Sequence, residues 1–268
     1  PKASKDVVVV KPGNTEEVSE IIKLANRYKI PVFPRGGGTG LVGACVPTLS
    51  GIVLSLERMN KIVVDKENLI AEAEAGATLA DLIKAAEDAG LFFPLHPGDE
   101  GAQIGGLLAC NAGGVRAIKT GVMRNYVKGM EVVLPTGEIL KLGGKLIKNV
   151  TGYDLMHLLI GSEGTLGVIT KVVLRLYPKP KASARLIVAY NNRHDAIRSV
   201  PRILQEGLVP LAIEYLERES IERATKDSGM KWPAKKGKAF LVIMVTGDSQ
   251  EDVYSMAEKI DEICREYN

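Results

Sequence analysis

The chain has 268 residues, 46% hydrophobic and 25% charged, a balance that supports a globular core of one large domain or two ordinary ones. A net charge of +3 without a basic tract argues against a nucleic-acid partner. Cys45, Cys110 and Cys264, far apart and without a CxxC pair, exclude a zinc site or an iron–sulfur cluster, so no metal is expected.

In chain order, Val7 to Val10 reads as a strand, and Asn14 with Glu17 as the N-terminal cap of a helix. Val18, Ile21, Ile22, Ala25 and Tyr28 share that helix's apolar face. Ile30 to Phe33 and Ile52 to Leu56 are the next strands, with a glycine-rich loop between them. Ile70 to Ala75 is a strand, and Thr78 caps a helix carrying Leu79, Leu82, Ile83 and Ala86. Val127 to Leu134 and Glu138 to Leu142 flank a hairpin turn at Pro135-Thr136-Gly137, and Val168 to Tyr177 is a long strand. Pro178-Lys179-Pro180 marks a domain boundary. Beyond it come a strand at Ala184 to Tyr190, a helix at Asp195 to Gln205 and a strand at Ala212 to Leu216. A short helix from Ser220, a strand at Ala239 to Thr246 and a helix at Ser249 to Glu266 complete the pattern. The longest apolar run, Leu41 to Leu56, is broken by Gly43, Pro47 and Gly51, so no membrane span is expected. Pro1 to Asp6 does not have the character of a signal peptide, and a start on proline points to a trimmed or partial chain.

Three glycine clusters stand out. The first, Pro34 to Gly43, holds five glycines in the eight residues from Gly36. Glycine lets the backbone approach a ligand closely, and successive N–H groups form a nest for an anion such as a pyrophosphate. Gly38 to Gly43 also spells GxGxxG, but Pro47 and Gly51 interrupt the helix that a nicotinamide-type site requires, and that reading is rejected. The second cluster runs from Pro97 to Gly114 and the third from Gly161 to Thr170. Three such loops suit a long ligand gripped from several sides.

These motifs, PRGGGTGLVGA, IGG…NAGG and GYDL…GSEGTLGVIT, resemble the vanillyl-alcohol-oxidase (PCMH-type) family of FAD proteins in its glycolate oxidase and D-lactate dehydrogenase branch. The resemblance implies an α+β chain: a PCMH-type FAD-binding domain over residues 1–180, built of two α/β subdomains at about 1–65 and 66–180. An incomplete substrate or cap domain over 181–268 follows. It also implies that Arg35, Gly36, Gly37, Gly38, Thr39, Gly40 and Gly43 hold the pyrophosphate. Pro97, Gly98, Asp99, Gly105, Gly106, Asn111 and Gly114 would surround the ribityl chain and isoalloxazine, and Glu163, Gly167 and Ile169 the nucleotide end. Covalent members carry a histidine where this chain has Thr39, or a cysteine near Gly98 and Asp99, so the flavin is expected to be noncovalent.

The implied reaction takes a hydride from the α-carbon of a 2-hydroxy acid to flavin, giving the 2-oxo acid. No catalytic residue is assigned, because the family's late histidine-rich motif has no counterpart after Pro178, where His194 is the one histidine. This chain alone is expected to hold FAD without reducing it. His194 reads as a solvated turn residue, His157 as a core histidine, and His96 as a neighbour of the second cluster. Lys119, Arg124, Lys145 and Lys148 read as surface cations. Three readings stand together: part of a flavin dehydrogenase, a noncatalytic electron-transfer flavin subunit, or a degenerate nucleotide-binding module. An iron–sulfur or flavoprotein partner and a cytoplasmic location, peripheral to a membrane only through such a partner, belong to the same expectation.

Overall fold

A computed structural model describes residues 2–267, which fall into two compact units. The first comprises Pro1–Gly114 with Val122–Lys179, and the second Val115–Gly121 with Pro180–Asn268. The grouping of residues 115–121 with the second unit has no signal in the sequence.

The first unit opens with β1 (Val7–Val10), α1 (Thr15–Tyr28), β2 (Val32–Arg35) and β3 (Gly51–Ser55), whose strands form a parallel sheet in the order β1-β3-β2. Asn14 caps α1 by accepting the Glu17 N–H at 2.8 Å. Val18, Ile22 and Ala25 are buried on the predicted face, but Tyr28 is exposed, because the helix ends there in the left-handed Lys29. No helix joins β2 to β3, in keeping with the rejection of a nicotinamide-type site.

The second sheet of this unit is antiparallel. It contains β4 (Ile62–Asp65), β5 (Ile70–Glu74), β7 (Val127–Val133), β8 (Ile139–Gly143) and β9 (Val168–Arg175), ordered β4-β5-β9-β7-β8. Since β4 pairs with β5, the division between the sheets precedes Ile62 instead of following residue 65. The helix α2 (Leu79–Asp88) carries a capping box, Thr78 and Asp81 each satisfying the other's backbone. A short strand, β6 (Leu91–Phe92), pairs with β10 (Tyr177–Pro178).

The second glycine cluster is not all loop. It contains α3 (Ile104–Ala109), anchored by the Ile104 N–H on the Ala77 carbonyl and the Gly105 N–H on Ala75, both at 2.8 Å. Two adjacent glycines mask this helix in the sequence, since glycine weakens a helix by about 1 kcal/mol relative to alanine. Burial of Ile104, Leu107 and Leu108 in the larger core compensates. A second core joins the sheets: Val18 and Ile22 of α1 meet Leu54, Leu56, Ala75, Val133 and Val168. The short helix α5 (Leu155–Leu159) lies between β8 and β9 in sequence.

In the second unit β11 (Ala182–Tyr190), β12 (Ala212–Glu217) and β13 (Ala239–Gly247) form an antiparallel sheet in the order β11-β13-β12. The sheet packs with α6 (Arg193–Gln205) and α8 (Gln250–Arg265) around Tyr190, Ile243, Val245 and Ile260. The Tyr190 hydroxyl is bonded to Ser199 at 2.9 Å, and burial pushes its pKa upward. α4 (Ala117–Thr120) and α7 (Arg218–Ser228) also belong to this unit. His194 is exposed in the first turn of α6.

Candidate flavin cleft

The three glycine clusters meet in the first unit around a cavity of about 500 Å³, within the size range of cofactor sites. A Cβ on Gly36 would touch Gly106 Cα at 3.5 Å, and one on Gly164 would touch Pro34 at 3.4 Å. The Glu163 N–H donates to the Ala109 carbonyl at 2.8 Å. Each cluster therefore abuts both of the others.

Arg35, Gly36, Gly37, Gly38, Thr39 and Gly40 line the cavity, as do Pro97, Gly98, Asp99, Gly105 and Gly106. Glu163, Gly167 and Ile169 complete the predicted positions found there. Gly43, Asn111 and Gly114 are not among the lining residues, and the structure gives each a local task. The Gly43 carbonyl accepts the Val46 N–H at 3.0 Å, closing a turn. Asn111 has φ 47°, and its side-chain Oδ1 accepts the Arg124 N–H at 3.0 Å. Gly114 lies against the His96 carbonyl so closely that a Cβ would overlap it.

The first loop is the part most suited to an anion. The N–H groups of Gly36, Gly37, Gly38, Thr39, Gly40 and Leu41 donate to no acceptor among the described residues. Gly38 has φ 72°, the left-handed conformation that anion-binding nests of backbone N–H groups use. Next to this loop Glu57 is held below the ordinary carboxylate pKa by its bond to Lys11 at 2.6 Å and by the Ser55 hydroxyl.

Another part of the wall is apolar, with Leu56, Ala75, Ala102, Leu107 and Val168 lining the cavity. Sequence reasoning missed these residues because lining and core positions look alike in a hydrophobic pattern. It also missed Gln103, whose Oε1 is buried on this wall without a hydrogen-bond partner among the described residues. A buried orphan of that kind costs about 1–3 kcal/mol unless a ligand satisfies it. Gly40, Gly98 and Gly106 line the cavity with no protein atom within 4 Å of where a Cβ would stand. A side chain there would fill the cavity, so the cleft fits a large group carrying an anionic segment and an apolar ring.

Other candidates prove local. His96 bonds Glu100 through Nε2 at 3.0 Å and does not line the cavity. His157 is not a core histidine; it is partly exposed on α5 and bonds Asp154 at 2.6 Å, an arrangement that leaves Asp154 below its usual pKa. Lys145 is tied to Asp65 and Glu72. Cys45 and Cys110 both line the cavity, and desolvation, reinforced by Glu163 and Cys45, pushes the Cys110 thiol up, away from the reactive thiolate.

Residues 7–143 match the family model described as FAD binding domain, and residues 179–268 the model described as FAD linked oxidases, C-terminal domain. The chain belongs to the FAD-linked oxidase family. FAD is therefore the cofactor of this flavoprotein. It is 47% identical over 98% of its length to D-lactate dehydrogenase of Archaeoglobus fulgidus, covering 59% of that protein. It is 40% identical over 96% of its length to glycolate oxidase subunit GlcD of Bacillus subtilis, covering 55% of it. The chain thus spans little more than half the length of these relatives. Its fold is that of alkyldihydroxyacetonephosphate synthase, with a TM-score of 0.81 at 24% identity, covering 97% of this chain and 50% of that one. Among the described residues no helix is long and apolar enough to cross a membrane.

Proposed function

We propose that this chain is the FAD-binding portion of a dehydrogenase that oxidises a 2-hydroxy acid such as glycolate or D-lactate to the 2-oxo acid. The observation that carries this reading is the row of six unpartnered N–H groups from Gly36 to Leu41 beside an apolar wall, in a chain similar to enzymes named for those substrates. The N–H groups from Gly36 to Leu41, with Arg35 alongside, would hold the pyrophosphate. Gly98, Asp99, Gly105 and Gly106 would border the ribityl chain and ring, with Gln103 Oε1 accepting a ring or ribityl hydrogen. Glu163, Gly167 and Ile169 would close the nucleotide end, while Gly43, Asn111 and Gly114 would act by shaping the loops. When bound, FAD supplies the acceptor for the hydride leaving the substrate's α-carbon.

The flavin is held without a covalent bond in this proposal: the first loop has Thr39 and no histidine, and desolvation pushes the Cys110 thiol away from the reactive thiolate. An iron–sulfur or flavoprotein partner receives the electrons in this proposal; these 268 residues hold three cysteines, too few to ligate a four-thiolate cluster among themselves. A cytoplasmic location, reaching a membrane only through that partner, is part of the same proposal, supported by three free thiols.

The test is in two steps. Denaturing the purified yellow protein should release FAD into the supernatant; flavin retained in the pellet, or an FMN mass, would overturn the noncovalent assignment. The FAD-loaded chain, joined to the additional length carried by its relatives, should then bleach anaerobically with D-lactate, glycolate or D-2-hydroxyglutarate, with or without divalent metal. No bleaching by any of the three, with FAD bound, would overturn the hydroxy-acid reading.

A further inference from the structure

We infer that residues 144–158 of the first unit form the docking surface for a further polypeptide segment, the length by which the relatives exceed this chain. Six large apolar side chains in this stretch face solvent: Leu146, Ile147, Val150, Tyr153, Leu155 and Leu158. Ile147 and Tyr153 are each 94% exposed and Val150 is 77% exposed. Single exposed apolar residues are ordinary, but a cluster this dense in sequence marks a surface that another body covers.

The backbone here does not support itself. Residues 144–154 contain neither helix nor strand. Apart from the Gly144 N–H on the Lys128 carbonyl at 2.9 Å, their backbone bonds are local: Leu146 N–H to the Gly144 carbonyl, Thr151 N–H to the Asn149 side chain, and Leu155 N–H to the Tyr153 carbonyl. Lys145 anchors the start through Glu72 at 2.7 Å. Loops of this kind lie on the surface and disproportionately carry binding function.

The occupant follows from three observations. The chain matches the A. fulgidus relative over 98% of itself yet accounts for 59% of that protein, so about two fifths of the relative lies outside the match and has a body to pack against. The exposed stretch runs directly into the third glycine loop, whose Glu163, Gly164 and Gly167 line the cleft. A segment docked here would stand beside the flavin site, where groups for a substrate's carboxylate and hydroxyl are needed. Lys148 is exposed and pairs with no carboxylate among the described residues, which suits an apolar docking face bearing an acidic group.

Hydrogen–deuterium exchange on two polypeptides tests the inference: this chain, and a chimera joining it to the unmatched part of the A. fulgidus relative in that protein's own order. Residues 144–158 should exchange at least tenfold more slowly in the chimera, with FAD stoichiometry equal in both. In the chimera, I147K combined with Y153K should restore fast exchange while leaving FAD binding unchanged. A folded, FAD-loaded chimera with no added protection would overturn the inference. So would protection in the short chain that grows with its concentration or with added phosphatidylglycerol vesicles, which would assign the face to a second copy or a lipid surface. Because FAD content is read in every sample, failure of this docking surface and failure of the flavin site would give different results.

Discussion

The first loop forms one wall of the cleft and the second and third clusters the other, and glycine serves two uses in them. On the first, the loop after β2, Gly40 has no atom of the described residues within 4 Å of a Cβ position, and the N–H groups from Gly36 to Leu41 have no acceptor among those residues. On the second, or in the clusters that form it, other glycines let protein pack on protein. A Cβ on Gly105 would come within 2.7 Å of the Ala75 methyl, one on Gly167 within 2.8 Å of Val132, and one on Gly114 would overlap the His96 carbonyl. Gly98 and Gly106 are exceptions on the second wall, open to the cavity although Gly106 belongs to α3. One composition therefore serves two purposes, ligand approach and close packing, and substitutions can separate them.

The largest effect is expected at Gly114→Ala. The added methyl meets backbone instead of a flexible side chain, so the chain itself must shift, at a cost of roughly 3 kcal/mol. Chemical denaturation of the FAD-free protein should show this loss directly. A cost below about 1 kcal/mol would mean that the His96 carbonyl yields freely, and Gly114 would then lose its packing role.

Gly40→Val and Gly106→Ala should behave in the reverse way. Both introduce atoms into open space on the cavity lining, so FAD affinity should fall tenfold to a hundredfold, about 1.4–2.7 kcal/mol. Stability without FAD should be unchanged for Gly40→Val. It should rise by up to about 1 kcal/mol for Gly106→Ala, which removes a glycine from a helix. Fluorescence titration with FAD, alongside denaturation, reads both quantities. Wild-type affinity in either variant would show that the position does not face the flavin. Gly38 is a less clean probe, because its φ of 72° adds backbone strain to any side chain.

The sequence was informative where a local rule dominates. Apolar runs marked the longer strands, Asn14 and Thr78 marked helix starts, and glycine density marked the loops that converge on the cavity. It was silent where tertiary contacts decide. Leu56, Ala75 and Leu107 look like core residues and line the cavity, while α3 forms against β5 despite its two glycines. Asn111 and Gly114 belong to the predicted motif, yet their side of the backbone is turned to Arg124 and His96, a distinction that only the fold reveals.

The smallest expected effect concerns the link between the sheets that carry the two walls. Glu131 of β7 is buried and accepts a hydrogen bond from the hydroxyl of Thr15, the first residue of α1, at 2.5 Å. Thr170 of β9 donates to the Glu131 carbonyl at 3.2 Å, and Lys141 and Lys171 approach the carboxylate at 3.4 Å. Burial alone would raise the Glu131 pKa, but the Thr15 hydroxyl and the two lysines outweigh it and hold it below the ordinary glutamate value. A depressed folded pKa means that protonation opposes folding. Its stabilisation is complete above the unfolded value of about 4.3 and is lost as pH falls through the lower folded value. Glu131→Gln keeps the shape and removes the charge, so stability at pH 7 should fall by about 1–2 kcal/mol. The loss of stability on acidification from about pH 5 to 3 should also be shallower than in the unaltered protein. FAD affinity at pH 7 should be unchanged, since Glu131 does not line the cavity. An equally steep acid loss in the variant would show that other carboxylates govern it and that this link contributes shape without charge.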